Sequence, residues 1–294
     1  MAEGQHYIGR FAPSPTGPLH FGSVVVALAS WLDARHHNGR WLLRIEDIDP
    51  PREDPKAPDQ IMRQLAALGL HWDGAPLFQS QRLDAYQATL EDLKTRSLAY
   101  PCTCSRRDLP PIYPGTCQSR RFETTLTPYA IRLRIPSTTI NLADPIQGPQ
   151  AWQLPTEIGD FIIKRRDGWF AYQLAVTVDD AFQQISHVVR GSDLLDSTPK
   201  QIVLAQLLHR PKVSYAHIPL MVDQHGLKLS KSTGAAATSM EAPTACIRQA
   251  LKVLCQPLHP EVDDLETLLG AATAAWSMER VPKKRELAAP PDQY

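Results

Sequence analysis

The chain of 294 residues contains no apolar run approaching the roughly 18 residues of a membrane span, and its N-terminus lacks the basic-then-apolar pattern of a signal peptide. No membrane association and a cytoplasmic location are therefore expected. Net charge is missing too: 31 Lys and Arg balance 31 Asp and Glu. Nucleic-acid binding would have to come from local basic patches rather than an overall positive field. Cysteine is sparse and odd in number, with five residues at positions 102, 104, 117, 246 and 255, which argues against a disulfide framework in a reducing compartment. Neither a glycine-rich dinucleotide fingerprint nor a Walker-type phosphate loop is present. The length allows two domains, or one α/β domain with an insertion. The 26 prolines fall mostly at element boundaries and read as turn punctuation.

Residues 7–11 read as a short strand, followed by a Pro/Gly-punctuated turn. Val24, Val25, Leu28, Trp31 and Leu32 are then spaced for one buried face of a helix that stops at Gly39. His20 and Ser23 fall in the first turn of that helix, where unpaired N–H groups and the positive end of the dipole favour an anion. Gly22 leaves room for the anion to approach. An ordinary capped helix with a surface histidine fits the same stretch. Residues 40–47 read as a buried strand with Leu42, Arg44 and Glu46 on one side. Glu46 ends at the edge where doubly wound sheets bind ligands. There it can receive a substrate ammonium, or pair with Arg44 on a solvated rim. Helices are predicted over residues 57–70 and 81–98, and alternation of strand and helix points to a parallel sheet.

From residue 100 the texture changes. Cys102, Cys104 and Cys117 lie among Pro and Arg residues that form neither a helix nor a long strand. Thiolates select zinc, which closes small, core-poor insertions. Three cysteines leave one position open, for Tyr113, a water, His187 or another distant histidine; three reduced cysteines in a loop are the alternative. Residues 129–135 alternate as a strand with Arg132 and Arg134 on the polar face, and residues 138–142 and 161–165 are predicted to pair with it. With Arg106, Arg107, Arg120, Arg121, Lys164, Arg165 and Arg166 this is the most basic region, suited to a phosphate backbone or simply to solvation.

Alternation resumes after Trp169, with a helix over 172–182, a strand over 185–190 and a helix over 193–209 given a capped start by Gly191-Ser192-Asp193. Tyr172 and Arg190 fall where the second half of the sheet presents side chains to a crevice. A strand over 216–222 leads into a mobile cationic loop holding Lys228, Ser230, Lys231 and Ser232, suited to a polyphosphate. Helices over 242–255 and 261–276 follow, and the tail from 281 to 294 is expected to fray.

The stretch Pro13 to Ser23, with His20-Phe21-Gly22-Ser23, and the later Lys228-Leu229-Ser230-Lys231-Ser232 together resemble the two signatures of class I aminoacyl-tRNA synthetases. Arg10 to Gly17, Leu43-Arg44-Ile45-Glu46-Asp47 and Arg190-Gly191-Ser192-Asp193 are similar to the glutamyl branch, and the resemblance runs from about residue 8 to about residue 240. It implies an α/β fold: a Rossmann-like parallel sheet split by a zinc-containing α+β insertion, with a short helical C-terminal region. The expected units are residues 1–98 and 166–222 as halves of a nucleotide-binding catalytic domain, 99–165 as an RNA-contacting insertion, and 223–294 as the lysine-signature loop and helical region.

The resemblance also implies residue roles. His20, Lys228 and Lys231 would be catalytic, and His20, Gly22, Ser23 and Lys231 would bind ATP, with Mg2+. Arg10, Phe11, Ala12, Pro13, Ser14, Glu46, Tyr172 and Arg190 would bind L-glutamate, and Cys102, Cys104, Tyr113 and Cys117 would hold a structural Zn2+. Only about 60 residues follow the lysine signature, so no anticodon-binding domain is expected. That resembles truncated paralogues of the branch, which activate glutamate without tRNA and attach it to queuosine in the anticodon loop of tRNA(Asp). A monomer is expected. A truncated synthetase charging tRNA(Glu), a non-catalytic synthetase-like binding protein and a small-cofactor adenylyltransferase are the other readings.

Overall fold

The computed structural model describes residues 6–105, 107, 109–119, 128–229 and 241–290. The first alternation of strand and helix is β1 (Ile8–Phe11), α1 (Phe21–His36), β2 (Arg40–Ile45), α2 (Ala57–Ala67), β3 (Leu77–Phe78) and α3 (Leu83–Thr95). An intervening strand-rich part holds β4 (Ala99–Cys102), β5 (Ala130–Leu133), β6 (Thr139–Asp144), β7 (Gly148–Gln153) and β8 (Ile162–Lys164). Next come α4 (Tyr172–Phe182), β9 (His187–Gly191), α5 (Thr198–Leu207), β10 (Ser214–Ile218) and β11 (Leu220–Val222). The chain closes with α6 (Pro243–Val253), α7 (Leu265–Ala275) and β12 (Glu286–Ala288). Among the described residues no helix is long and apolar enough to cross a membrane.

The central sheet is parallel. β1 pairs with β2 and β2 with β3, while β9 pairs with β10. β9 lies beside the other edge of β1, where the Ser186 N–H donates to the Ile8 carbonyl at 2.9 Å. Alternation along β2 divides the core. Trp41, Leu43 and Ile45 join α1, α2, α6 and α7 on one face, whereas Leu42 joins α3, α4 and α5 on the other. Burying each such side chain contributes roughly 1.5–3 kcal/mol. α1 is buried on nearly every side, with only Trp31 of the predicted face left half-exposed. It stops where Asn38 turns to φ 52° and Gly39 follows; a Cβ at Gly39 would lie 2.5 Å from the Tyr7 carbonyl, so the chain can reverse into β2 only without one.

Several expectations are corrected. The strand over 129–135 does pair with residues 161–165, as β5 with β8, but β6 pairs antiparallel with β7. Arg132 is not on a polar face: it is buried, because its guanidinium stacks 3.7 Å over the Tyr113 ring and donates to the Asp160 carbonyl at 2.7 Å. The stretch after Arg190 begins as a 3-10 turn over Ser192–Ser197 with no side-chain cap. Ser192 Oγ donates instead to the Arg285 carbonyl at 2.5 Å, and Asp193 pairs with Lys228. The strand over 216–222 is two strands, broken at Pro219, which has no N–H to donate.

The tail does not fray through residue 290. β12 pairs parallel with β11, the Ala289 N–H donates to the Val222 carbonyl at 2.8 Å, and Val281 and Ala289 are buried. Of the lysine loop, residues 223–229 form a tight turn: the Asp223 N–H donates to the Leu227 carbonyl at 2.8 Å, and Leu229 is buried. Ser230, Lys231 and Ser232 lie outside the described residues, as do Arg106, Arg120 and Arg121.

Candidate active site and metal centre

The residues after β1, β2, β9 and β10 all open onto one cavity of about 690 Å³. Arg10, Phe11, Ala12, Pro13, Ser14, His20, Gly22, Ser23, Glu46, Tyr172, Arg190 and Lys228 all line it. Apart from Lys231, every cavity residue expected from the sequence is therefore brought to a single place. The segment joining β1 to α1 is pinned from two sides. Glu46 N–H donates to the Pro13 carbonyl at 3.0 Å, and buried Gln64 of α2 accepts from Leu19 N–H at 2.6 Å and returns a bond to its carbonyl at 3.3 Å. Nothing in the sequence marked Gln64, since a glutamine on an amphipathic helix reads as surface.

His20 is the N-cap of α1. Its Nδ1 accepts from Ser23 N–H at 3.3 Å, so Nε2, 3.1 Å from Ser23 Oγ, carries the proton. No acidic residue occupies the first turn of this helix to compete with an anion. A Cβ on Gly22 would lie 3.2 Å from the His20 ring and 3.2 Å from Met221 Cβ, so a side chain there would crowd the helix entrance. Lys228 reaches the rim and pairs with Asp193, which also lines the cavity.

At the other end is a buried charge cluster. Arg44 donates to Asp180 at 2.8 Å, to Glu46 at 3.4 Å and to Gln183 at 2.9 Å, and Arg10 meets Asp180 at 3.4 Å. Glu46 thus does pair with Arg44, but in the interior rather than on a solvated rim. Burial would raise the Asp180 carboxyl, yet Arg44 and Arg10 hold it below the usual carboxylate range. For Glu46 burial wins, pushing its carboxyl above that range against the pull of Arg44 and Arg10. Burial likewise raises the Tyr172 phenol, which stays neutral and able to donate. Arg190 is held by Gln201 at 2.8 Å, Thr198 at 2.9 Å and the Leu194 carbonyl at 3.3 Å. Asp180 went unrecognised in the sequence because it lies in the last turn of a helix, where acids are ordinarily solvated. The pair Asp179-Asp180, both buried in an otherwise apolar helix, was the available signal.

A separate cluster sits at the end of β4. The sulfurs of Cys102, Cys104 and Cys117 all lie within 4.8 Å of one another, and all three cysteines are free. Tetrahedral zinc with Zn–S bonds near 2.3 Å sets sulfurs about 3.8 Å apart, so the set is compatible with zinc. The Tyr113 hydroxyl lies 3.5 Å from Cys102 Sγ and 3.8 Å from Cys104 Sγ, and it accepts from the Cys117 N–H at 2.9 Å. His187, an alternative fourth ligand from sequence, is not in the cluster: it stacks on Tyr7, with ring centroids 4.1 Å apart. Burial would raise the Cys117 thiol, but hydrogen bonds led by that from Tyr113 bring it down to about 7. Arg132 Nε donates to Cys102 Sγ at 3.2 Å, which offsets thiolate charge. Cys104→Ser is expected to lower bound zinc from about one ion per chain to well under half, measured by metal analysis after dialysis; stoichiometric zinc would point to other ligands. Among the described residues, two of the neighbouring cations are committed within the protein. Arg165 pairs with Asp49 and Asp167, and Arg166 donates to the Thr103 and Cys104 carbonyls at 2.8 and 3.1 Å.

A family model described as tRNA synthetases class I (E and Q), catalytic domain, matches residues 8–111 and 116–245. Curated relatives called glutamyl-Q tRNA(Asp) synthetase come from several bacteria. The one from Pseudomonas putida is 50% identical over 283 residues, 95% of this chain and 94% of the relative. The one from Thiobacillus denitrificans is 50% identical over 294 residues, 96% of this chain and 97% of the relative. Among solved structures, a glutamate tRNA ligase from Elizabethkingia meningosepticum in complex with its amino acid superposes with a TM-score of 0.81 at 25% identity, covering 97% of this chain and 67% of that one. The glutamate-tRNA synthetase of Elizabethkingia anophelis gives a TM-score of 0.81 at 26% identity, covering 98% and 68%. By sequence and by fold together, the chain belongs to the glutamyl-Q tRNA(Asp) synthetase family of class I tRNA synthetases.

Proposed function

We propose that this protein activates L-glutamate with ATP in the absence of tRNA and transfers it to queuosine in the anticodon loop of tRNA(Asp). A carboxylate oxygen of glutamate attacks the α-phosphorus of ATP; the bond from that phosphorus to pyrophosphate breaks, and glutamyl-adenylate forms. A queuosine hydroxyl then attacks the acyl carbon, gives up its proton, and releases AMP. Neither step needs a nucleophilic side chain, so catalysis rests on positioning and on stabilising charge at the phosphates.

The observation that carries this reading is the set of charged groups gathered at one end of the cavity. Arg10, Glu46 and Arg190 line the cavity, and Arg44 and Asp180 pair with each other and with Glu46 and Arg10 respectively. Arg44 and Asp180 offset one another, leaving two guanidiniums and one carboxylate on the cavity wall to meet the two carboxylates and one ammonium of glutamate. Arg10 and Arg190 suit the two carboxylates, Glu46 the ammonium, and Ser14 and Tyr172 neutral hydrogen bonds, while Phe11, Ala12 and Pro13 form the wall. Glutamine would leave a buried guanidinium unpaired and be rejected. ATP, with Mg2+, would lie along His20, Gly22 and Ser23, with Lys228 and Lys231 contributing charge. Zn2+ on Cys102, Cys104, Tyr113 and Cys117 would hold the strand-rich part in shape when bound. The protein is read as a cytoplasmic monomer.

Glutamate-dependent ATP–pyrophosphate exchange without tRNA tests the first step; its absence in zinc-replete protein would favour a non-catalytic binding protein. In that assay Glu46→Gln is expected to raise KM for glutamate on the order of 10- to 100-fold. The pH dependence follows from the raised Glu46 carboxyl. Only the carboxylate form receives an ammonium, so KM should be flat at high pH and climb as pH falls through the raised value. That climb begins above the roughly 4.3 of an ordinary glutamate. The Gln variant should lose that limb, and an identical pH profile in both proteins would contradict the assignment.

A further inference from the structure

Behind Arg190 lies a fully buried acid–imidazole pair that none of the roles above uses. Asp144 is the last residue of β6, and His217 sits in β10; neither side chain has any solvent exposure. Asp144 accepts four hydrogen bonds. Oδ1 takes the N–H of Ile146 at 2.9 Å and of Gln147 at 2.8 Å, and Oδ2 takes the His217 N–H at 3.1 Å and its Nδ1 at 2.6 Å. A carboxylate so engaged is an acceptor only, so Nδ1 of His217 carries the proton. Nε2 then presents a lone pair, and Arg190 Nε donates to it at 3.0 Å, with the Thr198 hydroxyl 3.1 Å from the same nitrogen. Burial, which lowers the pKa of this histidine, favours the neutral ring.

We infer that Asp144 and His217 form a positioning relay that fixes the tautomer of the imidazole, and through it the aim of the Arg190 guanidinium into the glutamate pocket. The acid at its far end belongs to the β6–β7 hairpin rather than to the central sheet. That hairpin is seated by Gln147, whose Nε2 donates to the His217 carbonyl at 2.9 Å and to the Lys284 carbonyl at 2.8 Å. The hairpin therefore helps set the amino-acid site without touching the amino acid.

The inference rests on the glutamate role proposed for Arg190, and pyrophosphate exchange by the zinc-replete full chain tests it. In Asp144→Asn the amide donates where the carboxylate accepted. The stable ring then carries its proton on Nε2, opposing Arg190. KM for glutamate is expected to rise at least about 10-fold, with KM for ATP within about twofold. His217→Leu should behave similarly. His217→Gln, whose carbonyl can meet Arg190 Nε, should recover most of the loss. Unchanged glutamate KM in folded Asp144→Asn, or His217→Gln as impaired as His217→Leu, would overturn the relay. Nitrogen NMR of the wild-type protein decides the point even if the variants fail to fold: protonated Nδ1 and bare Nε2 are expected at His217, and an Nε2–H would refute it. Wild-type protein lacking exchange would refute the activity instead. Calorimetric glutamate affinities of the wild type and Asp144→Asn, differing at least about 10-fold or not at all, would then still decide the relay.

Discussion

His20→Ala is expected to lower kcat for tRNA-free ATP–pyrophosphate exchange about 100- to 1,000-fold, the loss typical of removing one preorganised donor from developing charge, while KM for glutamate stays within about twofold. The expectation comes from where the ring sits. His20 caps α1 at its positive end, with Nε2 carrying the proton, and the charged groups proposed to hold glutamate are Arg10, Glu46 and Arg190 instead. Because the ring is also a cap, alanine should cost about 1 kcal/mol of stability. His20→Asn separates the two roles. Asparagine is a good cap, so the melting temperature should recover while exchange stays low. Recovery of both would reduce His20 to a structural residue.

Arg44→Leu is expected to destabilise the fold by about 3–5 kcal/mol, the usual consequence of stripping one partner from a buried ion pair. For a chain of 294 residues that is a fall of roughly 5–8 °C in Tm by calorimetry. The guanidinium has no solvent exposure and stands between Asp180 and Glu46; without it, two buried carboxylates face Arg10 alone. Their mutual repulsion should drive one of them to take up a proton, and glutamate binding should fail with it. Arg44→Leu combined with Asp180→Leu should recover part of the lost stability but not glutamate binding, since the pair itself carries little net stability. A change in Tm below about 2 °C for the single variant would contradict the cluster.

How far the site could be read from sequence depended on the kind of signal. The strand, turn and helix around His20 were legible because local punctuation and helical spacing agree there. Alternation along β2 put Leu42, Arg44 and Glu46 on one side, and Leu42 does pack on the opposite face from Trp41 and Leu43. What periodicity could not show was where a polar face points. Arg132 alternates as a surface residue, but the face it lies on meets Tyr113 and Cys102. β7 has one buried apolar residue, Trp152, and a proline, so no alternation announced it as the partner of β6. β12 is held by backbone pairing along three residues with little apolar pattern, which is why the tail read as loose. Asp144, Asp180 and His217 are buried polar groups whose partners lie far away in the chain, and no local window relates them.

The most direct test of the account is to supply radiolabelled glutamate and ATP to the zinc-replete protein with purified tRNAs. Label should accumulate on tRNA(Asp) bearing queuosine, with none on the same tRNA lacking queuosine and none on tRNA(Glu). Alkali-labile label on tRNA(Glu), with queuosine-bearing tRNA(Asp) left bare, would contradict it.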